Sequence, residues 1–241
     1  MLQVHSIETF GTHEGPGIRL VVFVQGCNFR CLYCHNPDTR PVKDAKGITS
    51  EEILELLEKQ KPYFKEKGGL TISGGEALLQ RKALIDLFTK AKKAGFHTTL
   101  DTNGSILDGD AKKLLEVTDL VLLDVKHIDP VWHMKVTNAS NETVLQFAKY
   151  LEEAGKPIWL RYVLVPGYTD QTEFLEKWGQ HFSTYKNVER VEILPFHTYG
   201  FFKYKELGID NPLLDCPVPT QEKVQQALNI FKKYFKSVYI R

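Results

Sequence analysis

The chain has 241 residues, of which 42% are hydrophobic and 25% charged, a balance that suits one large globular domain with a sizeable core. Lysine and arginine number 31 against 30 aspartates and glutamates, so no global field draws the chain to nucleic acid or to a membrane surface. The first 12 residues lack a basic start followed by an apolar run, and no stretch approaches the roughly 20 apolar residues of a membrane span. The expected address is therefore cytoplasmic, where clustered cysteines go with metal or redox chemistry rather than with disulfides.

Val4–Phe10 offers a short strand at the start, and Leu20–Gln25 (LVVFVQ) reads as a buried strand. Thr49–Lys59 opens with the capping-box spacing Thr49-x-x-Glu52 and continues at helical period through Ile53, Leu56 and Leu57. A strand at Leu70–Ser73 is followed by a helix over Gln80–Ala94, stopped by Gly95. Then come a strand at Thr98–Asp101 with a helix over Asp110–Val117, and a strand at Leu120–Val125 with a helix over Asn141–Ala154. Ile158–Val165 leads into Thr172–Phe182, and Val188–Leu194 into Gln221–Phe235, with Val238–Ile240 as a short terminal strand. Phe196–Thr220, which holds Pro212, Pro217 and Pro219, reads as the longest irregular stretch, of the kind used for lids and binding loops. Six successive βα units predict a mostly parallel sheet with right-handed crossovers, either an open doubly wound sheet or an incomplete barrel, in a single domain over residues 1–241.

The unusual polar residues fall just after the predicted strands. Cys27–His35 follows the first, Gly74-Gly75-Glu76 the second, Asp101-Thr102-Asn103-Gly104 the third and Asp124-Val125-Lys126 the fourth. Arg161 lies in the fifth and Pro195-Phe196-His197 follows the sixth. Parallel sheets collect their chemistry at the carboxyl ends of the strands, so these motifs are expected on one rim.

Cys27, Cys31 and Cys34 place three of the four cysteines within eight residues. With His35 they would supply the four ligands of a zinc ion, although adjacent Cys34 and His35 chelate one tetrahedral ion awkwardly. Cys31-Leu32-Tyr33-Cys34-His35 also matches the Cys-x-x-Cys-His haem attachment pattern, which would leave Cys27 idle. Three inert buried thiols would require three coincidences beside an arginine and an asparagine. A cubane iron–sulfur cluster with three thiolates leaves one iron open to an exchangeable ligand. Cys216 stands alone in the Pro-rich stretch and reads as a lone thiol.

This cysteine spacing directly after the first strand of a βα series resembles the signature of radical S-adenosylmethionine enzymes. The resemblance implies a partial TIM-like barrel of about six parallel βα units, and two cofactors, a [4Fe-4S] cluster and S-adenosylmethionine. Cys27, Cys31 and Cys34 would ligate the cluster. Tyr33, Cys34 and His35 would pass the adenine, Gly75 the methionyl ammonium, and Asp124, Val125 and Lys126 the carboxylate and ribose, with His197 a further cofactor contact. Asp101 is an additional candidate, for the ammonium or, with Asp124, for a cation. Ala77 stands where many members carry proline.

Gly11, Gly15-Pro16-Gly17-Ile18-Arg19, Gly26-Cys27 and His35-Asn36-Pro37 resemble the glycyl-radical-enzyme activases within that family. No cysteine lies between Cys34 and Cys216, so the ferredoxin-like insert of the longer activases is missing. This short form implies a protein substrate, the glycyl radical loop of pyruvate formate-lyase, and a low-potential electron donor such as flavodoxin or ferredoxin. Neither nucleic acid nor a membrane is implied as a partner.

Overall fold

The computed structural model describes residues 1–42 and 45–241. They form two compact units, Met1–Asn28 with Thr39–Leu122, and Phe29–Asp38 with Leu123–Arg241.

In the first unit, β1 (Leu2–Gly11) and β2 (Arg19–Val24) form an antiparallel pair, and β3 (Lys46–Ile48) lies antiparallel on the other side of β1. β2 runs parallel to β4 (Gly69–Gly74), and β4 to β5 (His97–Thr102). Leu20, Val21, Val22 and Val24 of β2 are all buried, as expected of a parallel strand covered on both faces. α1 (Ser50–Phe64) starts at the predicted capping box: Thr49 N–H donates to Glu52 Oε2 at 2.8 Å and Glu52 N–H to Thr49 Oγ1 at 3.2 Å. It runs past the expected Lys59 to bury Phe64 against Phe96, ring centroids 6.0 Å apart. α2 (Arg81–Lys93) and α3 (Gly109–Glu116) are joined by the forked pairing of Arg81 with Asp108, the residue that also caps α3.

β6 (Leu120–Asp124) carries the chain from the first unit into the second, which continues with α4 (Pro130–Thr137) and α5 (Glu142–Glu153). β7 (Ile158–Leu164), β8 (Val188–Pro195) and β9 (Val238–Ile240) are parallel neighbours, with α6 (Thr172–Phe182), α7 (Phe201–Glu206) and α8 (Gln221–Lys232) between them in the chain. The aromatic centre of this unit is Trp178, within 5.5 Å of the Tyr162 ring, 4.9 Å of Phe182 and 4.8 Å of Phe231.

The alternation predicted from sequence is present from β4 on, since each of β4, β5, β6, β7 and β8 leads to a helix, while β2 reaches α1 only after β3. Three elements differ from expectation. β3 and α4 lie in segments not assigned, and α7 lies inside the stretch expected to be irregular. α4 is apolar on two sides, with Val131 and Met134 exposed and His133 and Val136 buried, so no periodic stripe marks it. Its legible signal was the start: Asp129 Oδ1 accepts from the Val131 and Trp132 amides, both at 3.0 Å, and Pro130 takes the first helical position. No helix among the described residues is long and apolar enough to cross a membrane.

Arg19 secures the start of β2. Its side chain is fully buried and donates to the carbonyls of Pro16 (3.0 Å), Lys67 (3.2 Å), Leu70 (2.6 Å) and His97 (3.1 Å) and to Thr71 Oγ1. Thr71 in turn donates its hydroxyl to the Glu14 carbonyl at 2.6 Å, so the Gly15–Ile18 turn is tied to β4. Burial lowers the Arg19 pKa to about 9, which leaves the guanidinium charged at neutral pH. Replacing Arg19 by Met strands several buried acceptors, and urea unfolding of the apoprotein is expected to show a loss of about 3 kcal/mol or more. An unchanged midpoint would remove Arg19 from this role.

Candidate functional site

The first unit presents three of the strand-end motifs. The end of β2 is sewn to its neighbours by backbone bonds: Gly75 N–H to Val24 O at 2.9 Å, Glu76 N–H to Gly26 O at 2.8 Å and Gly26 N–H to Thr39 O at 2.7 Å. Cys27 N–H follows, to Arg40 O at 3.2 Å. This closeness explains the glycines. A Cβ on Gly75 would stand 2.1 Å from the Gly26 carbonyl oxygen, and one on Gly74, whose φ is +111°, 2.4 Å from Val24 N.

Glu76 is buried and accepts from every side. Leu78 N–H (2.9 Å) and the Thr102 hydroxyl reach Oε1, and Asn103 N–H (2.8 Å) reaches Oε2. Burial pushes its pKa up to about 7 against the pull of those donors. Its work is to tie the turn after β4 to the end of β5. Asn103 Nδ2 donates onward to Asn28 Oδ1 at 3.3 Å, and Asn28 Nδ2 to Ser105 Oγ at 2.7 Å, so the residue after Cys27 is held by the loop after β5. Ser73 Oγ donates to Asp101 Oδ2 at 2.6 Å, which orients that carboxylate.

The second unit holds the rest of the cysteine loop. Arg30 N–H donates to Thr137 O at 2.8 Å and Leu32 N–H to Val136 O at 2.9 Å, so the residues on either side of Cys31 rest on the end of α4. Tyr33 is buried among Val136, Val165, Phe196 and Leu213, with Cys31 and Cys216 packed against the same group. The Lys126 ammonium lies 5.9 Å from the centre of the Tyr33 ring. α7 clamps the end of the loop: the Tyr204 hydroxyl donates to Cys34 O at 3.0 Å, and Lys203 Nζ reaches Asn36 Oδ1 at 2.8 Å and Asp38 Oδ2 at 2.9 Å.

His35 and His197 stack with ring centroids 3.7 Å apart, and His35 Nε2–H donates to the His197 carbonyl at 3.0 Å. Burial, then the neighbouring His197, pushes the His35 pKa down to about 4, so both rings stack in the neutral form near pH 7. Asp124 and Lys126 form an ion pair at 2.8 Å. Asp124 Oδ1 is buried with no hydrogen-bond partner among the described residues, a state that few buried acceptors are left in. Val125 between them has its side chain fully in the core. Arg161 is engaged by the buried Glu192, Nε to Oε2 at 3.1 Å. All four cysteines are thiols of intermediate exposure, and burial, then Asp170, raises the pKa of Cys216.

Sequence reasoning missed the supports: Val136 and Thr137 beneath the loop, and Lys203 and Tyr204 against its end. Their only sequence signals were the Asp129-Pro130 start of α4 and the aromatic residues inside the Pro-rich stretch.

Just beyond Lys126, His127 is fully buried, with Asp129 N–H donating to its Nδ1 at 3.0 Å and the Phe174 ring 4.7 Å away. Burial lowers its pKa from the ordinary 6.5 to about 4. Its contribution to stability is therefore complete above pH 6.5 and is lost as pH falls toward 4, because only the unfolded chain takes up the proton in that window. Apoprotein stability should fall from pH 7 to pH 5, with His127 supplying about 2 kcal/mol of the drop. In His127→Asn, whose Oδ1 can replace the Nδ1 acceptor, the same pair of urea titrations should show a correspondingly shallower fall.

Residues 21–178 match the radical SAM superfamily model. The pyruvate formate-lyase-activating enzyme of Streptococcus mutans is 50% identical over 232 residues, 93% of this chain and 88% of that protein. That of Listeria monocytogenes is 44% identical over 237 residues, 95% and 96% of the two chains. Among solved structures, a domain of pyruvate-formate lyase-activating enzyme from Bacteroides vulgatus superposes with a TM-score of 0.61 at 23% identity, covering 72% of this chain and 99% of that one. Streptococcus suis SuiB bound to S-adenosylmethionine gives 0.69 at 14% identity over 90% of this chain and 48% of its own, a likeness of fold. With those matches spanning most of its length, the chain belongs to the radical SAM superfamily, whose cofactors are a [4Fe-4S] cluster and S-adenosylmethionine, and within it to the pyruvate formate-lyase-activating enzymes.

Proposed function

We propose that this chain activates pyruvate formate-lyase by removing one α-hydrogen from a glycine in that protein's main chain. The observation that carries the reading is the cysteine loop itself: three thiols within eight residues, on backbone held by hydrogen bonds, in a chain of the short activase type. When bound, the cluster and S-adenosylmethionine supply reductive cleavage of the sulfonium and a 5′-deoxyadenosyl radical that takes the hydrogen.

The residues fit these groups. Three thiols suit a cluster with one open iron, and the unpartnered Asp124 oxygen suits a ligand hydroxyl or ammonium. We assign Cys27, Cys31 and Cys34 to the cluster, and Tyr33, Cys34, His35, Gly75, Asp124, Val125, Lys126 and His197 to S-adenosylmethionine. Lys126 offers a cation to the methionyl carboxylate, and the neutral His35–His197 stack offers a flat surface to the adenine. Val125, with its side chain in the core, serves through its backbone. Glycine suits the reaction because two amide groups flank its α-radical and no side chain blocks approach. The electron comes from a low-potential donor such as flavodoxin or ferredoxin. We read residues 1–241 as one radical SAM domain working in the cytoplasm, with no nucleic acid or membrane partner.

Serine at Cys27, Cys31 or Cys34 should abolish stoichiometric iron and sulfide after anaerobic reconstitution, whereas Cys216→Ser should load like the parent. Full iron in Cys31→Ser, or its loss in Cys216→Ser, overturns the ligand assignment.

The reaction is tested with pyruvate formate-lyase deuterated at its glycine α-carbons. Deuterium should appear in 5′-deoxyadenosine, and a glycyl doublet should grow on the partner in electron paramagnetic resonance. Label arriving only from a small metabolite would replace the activase reading with that of a radical enzyme acting on small molecules.

A further inference from the structure

The loop around Cys31 rests on two main-chain oxygens, those of Val136 and Thr137 at the end of α4. Carbonyls in the last turn of a helix have no partner within it, so their directions are set by how the helix is terminated. Here it ends at Asn138, which adopts the left-handed conformation (φ 58°) and donates its amide to Met134 O. A side-chain latch closes the same turn. His133 Nδ1–H donates to Ala139 O at 2.8 Å, across the left-handed residue. The Thr137 hydroxyl donates to His133 O at 2.7 Å and accepts from Ala139 N–H at 3.2 Å.

His133 is fully buried, and its bond to a carbonyl fixes the tautomer with the proton on Nδ1. Its ring also meets the edge of Phe29, centroids 5.7 Å apart at 81°. Phe29 is itself buried and lies two residues before Cys31. The same imidazole thus touches the cysteine loop through a side chain and, through the helix end, through both backbone bonds that flank Cys31.

We propose that His133 is a positioning residue for the iron–sulfur cluster: its Nδ1–H latch on Ala139 sets the end of α4 that holds Cys31. The inference rests on Cys31 being a cluster ligand.

Asn and Gln separate the latch from bulk. The Asn amide nitrogen occupies the place of Nδ1 and can donate to Ala139 O, whereas the Gln amide reaches toward the place of Nε2. His133→Asn, His133→Gln and Thr137→Val are reconstituted anaerobically. Each is compared with the parent for iron content, the rate of iron release to a chelator, and the resonance spectrum of the reduced cluster with and without S-adenosylmethionine. Melting of each apoprotein reports folding separately.

His133→Asn should release iron at close to the parental rate. His133→Gln should release it roughly ten- to a hundredfold faster, as expected for loss of a partner that orients a metal ligand. Thr137→Val, which leaves the imidazole in place and removes one arm of the latch, should fall between them. Parental release and spectra in a folded His133→Gln protein overturn the proposal, as does equal loss in the Asn and Gln variants. If His133→Gln fails to fold, Thr137→Val decides by the same readouts, and parental behaviour there counts against the latch. Cys31→Ser runs alongside: full iron in that variant removes the ligand assignment itself, an outcome distinct from failure of the latch.

Discussion

Backbone packed against backbone is the constraint on which the first unit's share of the site depends. Between the end of β2 and the turn after β4, the gap is too small for any side chain, as the 2.1 Å clearance at Gly75 makes plain. Once that contact is made, Gly26, Cys27 and Glu76 have no freedom to drift, because their amides are already committed to Thr39, Arg40 and Gly26. Glu76 then extends the constraint to β5 through Thr102 and Asn103. A side chain on backbone held this way keeps only its own rotations to lose.

The second unit reaches the same end by different means. Its cysteine segment is irregular and is held by a helix end on one side and by Tyr204 and Lys203 on the other. Two kinds of carboxylate coexist in the protein. Glu76 and Glu192 are buried and fully occupied by protein donors, Glu192 by Arg161, Arg190 and Arg241. Asp124 has one oxygen on Lys126 and the other buried and unoccupied among the described residues. Buried acceptors are rarely left without donors, so that contrast is the basis on which we propose Asp124 as a cofactor contact.

What was legible in the sequence followed from residue type and period. A valine-rich run gave β2 and a leucine-rich one β6, the Thr49–Glu52 box gave the start of α1, and the clustering of Cys27, Cys31 and Cys34 stood out without any structural knowledge. The glycine and proline motif before β2 was visible, yet its physical purpose was not, since the main-chain acceptors of Arg19 come from four separate positions along the chain. Likewise nothing in the letters at 136 and 137 announces a support for cysteine. The atoms that matter there are carbonyl oxygens, which every residue possesses, and only the fold reveals which of them meet. α7 escaped notice because six residues among prolines are too few for a period to emerge.

The surroundings of Arg19 carry a consequence for how such a chain can change over time. Four of its five named acceptors are main-chain oxygens, and a carbonyl is the same whatever side chain it accompanies. Positions 67 and 70 can therefore be exchanged among residues of compatible shape without weakening the anchorage, whereas Arg19 itself has no substitute that reaches all of them. The burden of heredity falls on one residue in place of a co-varying set, so drift in its neighbours leaves the floor of β2, β4 and β5 intact.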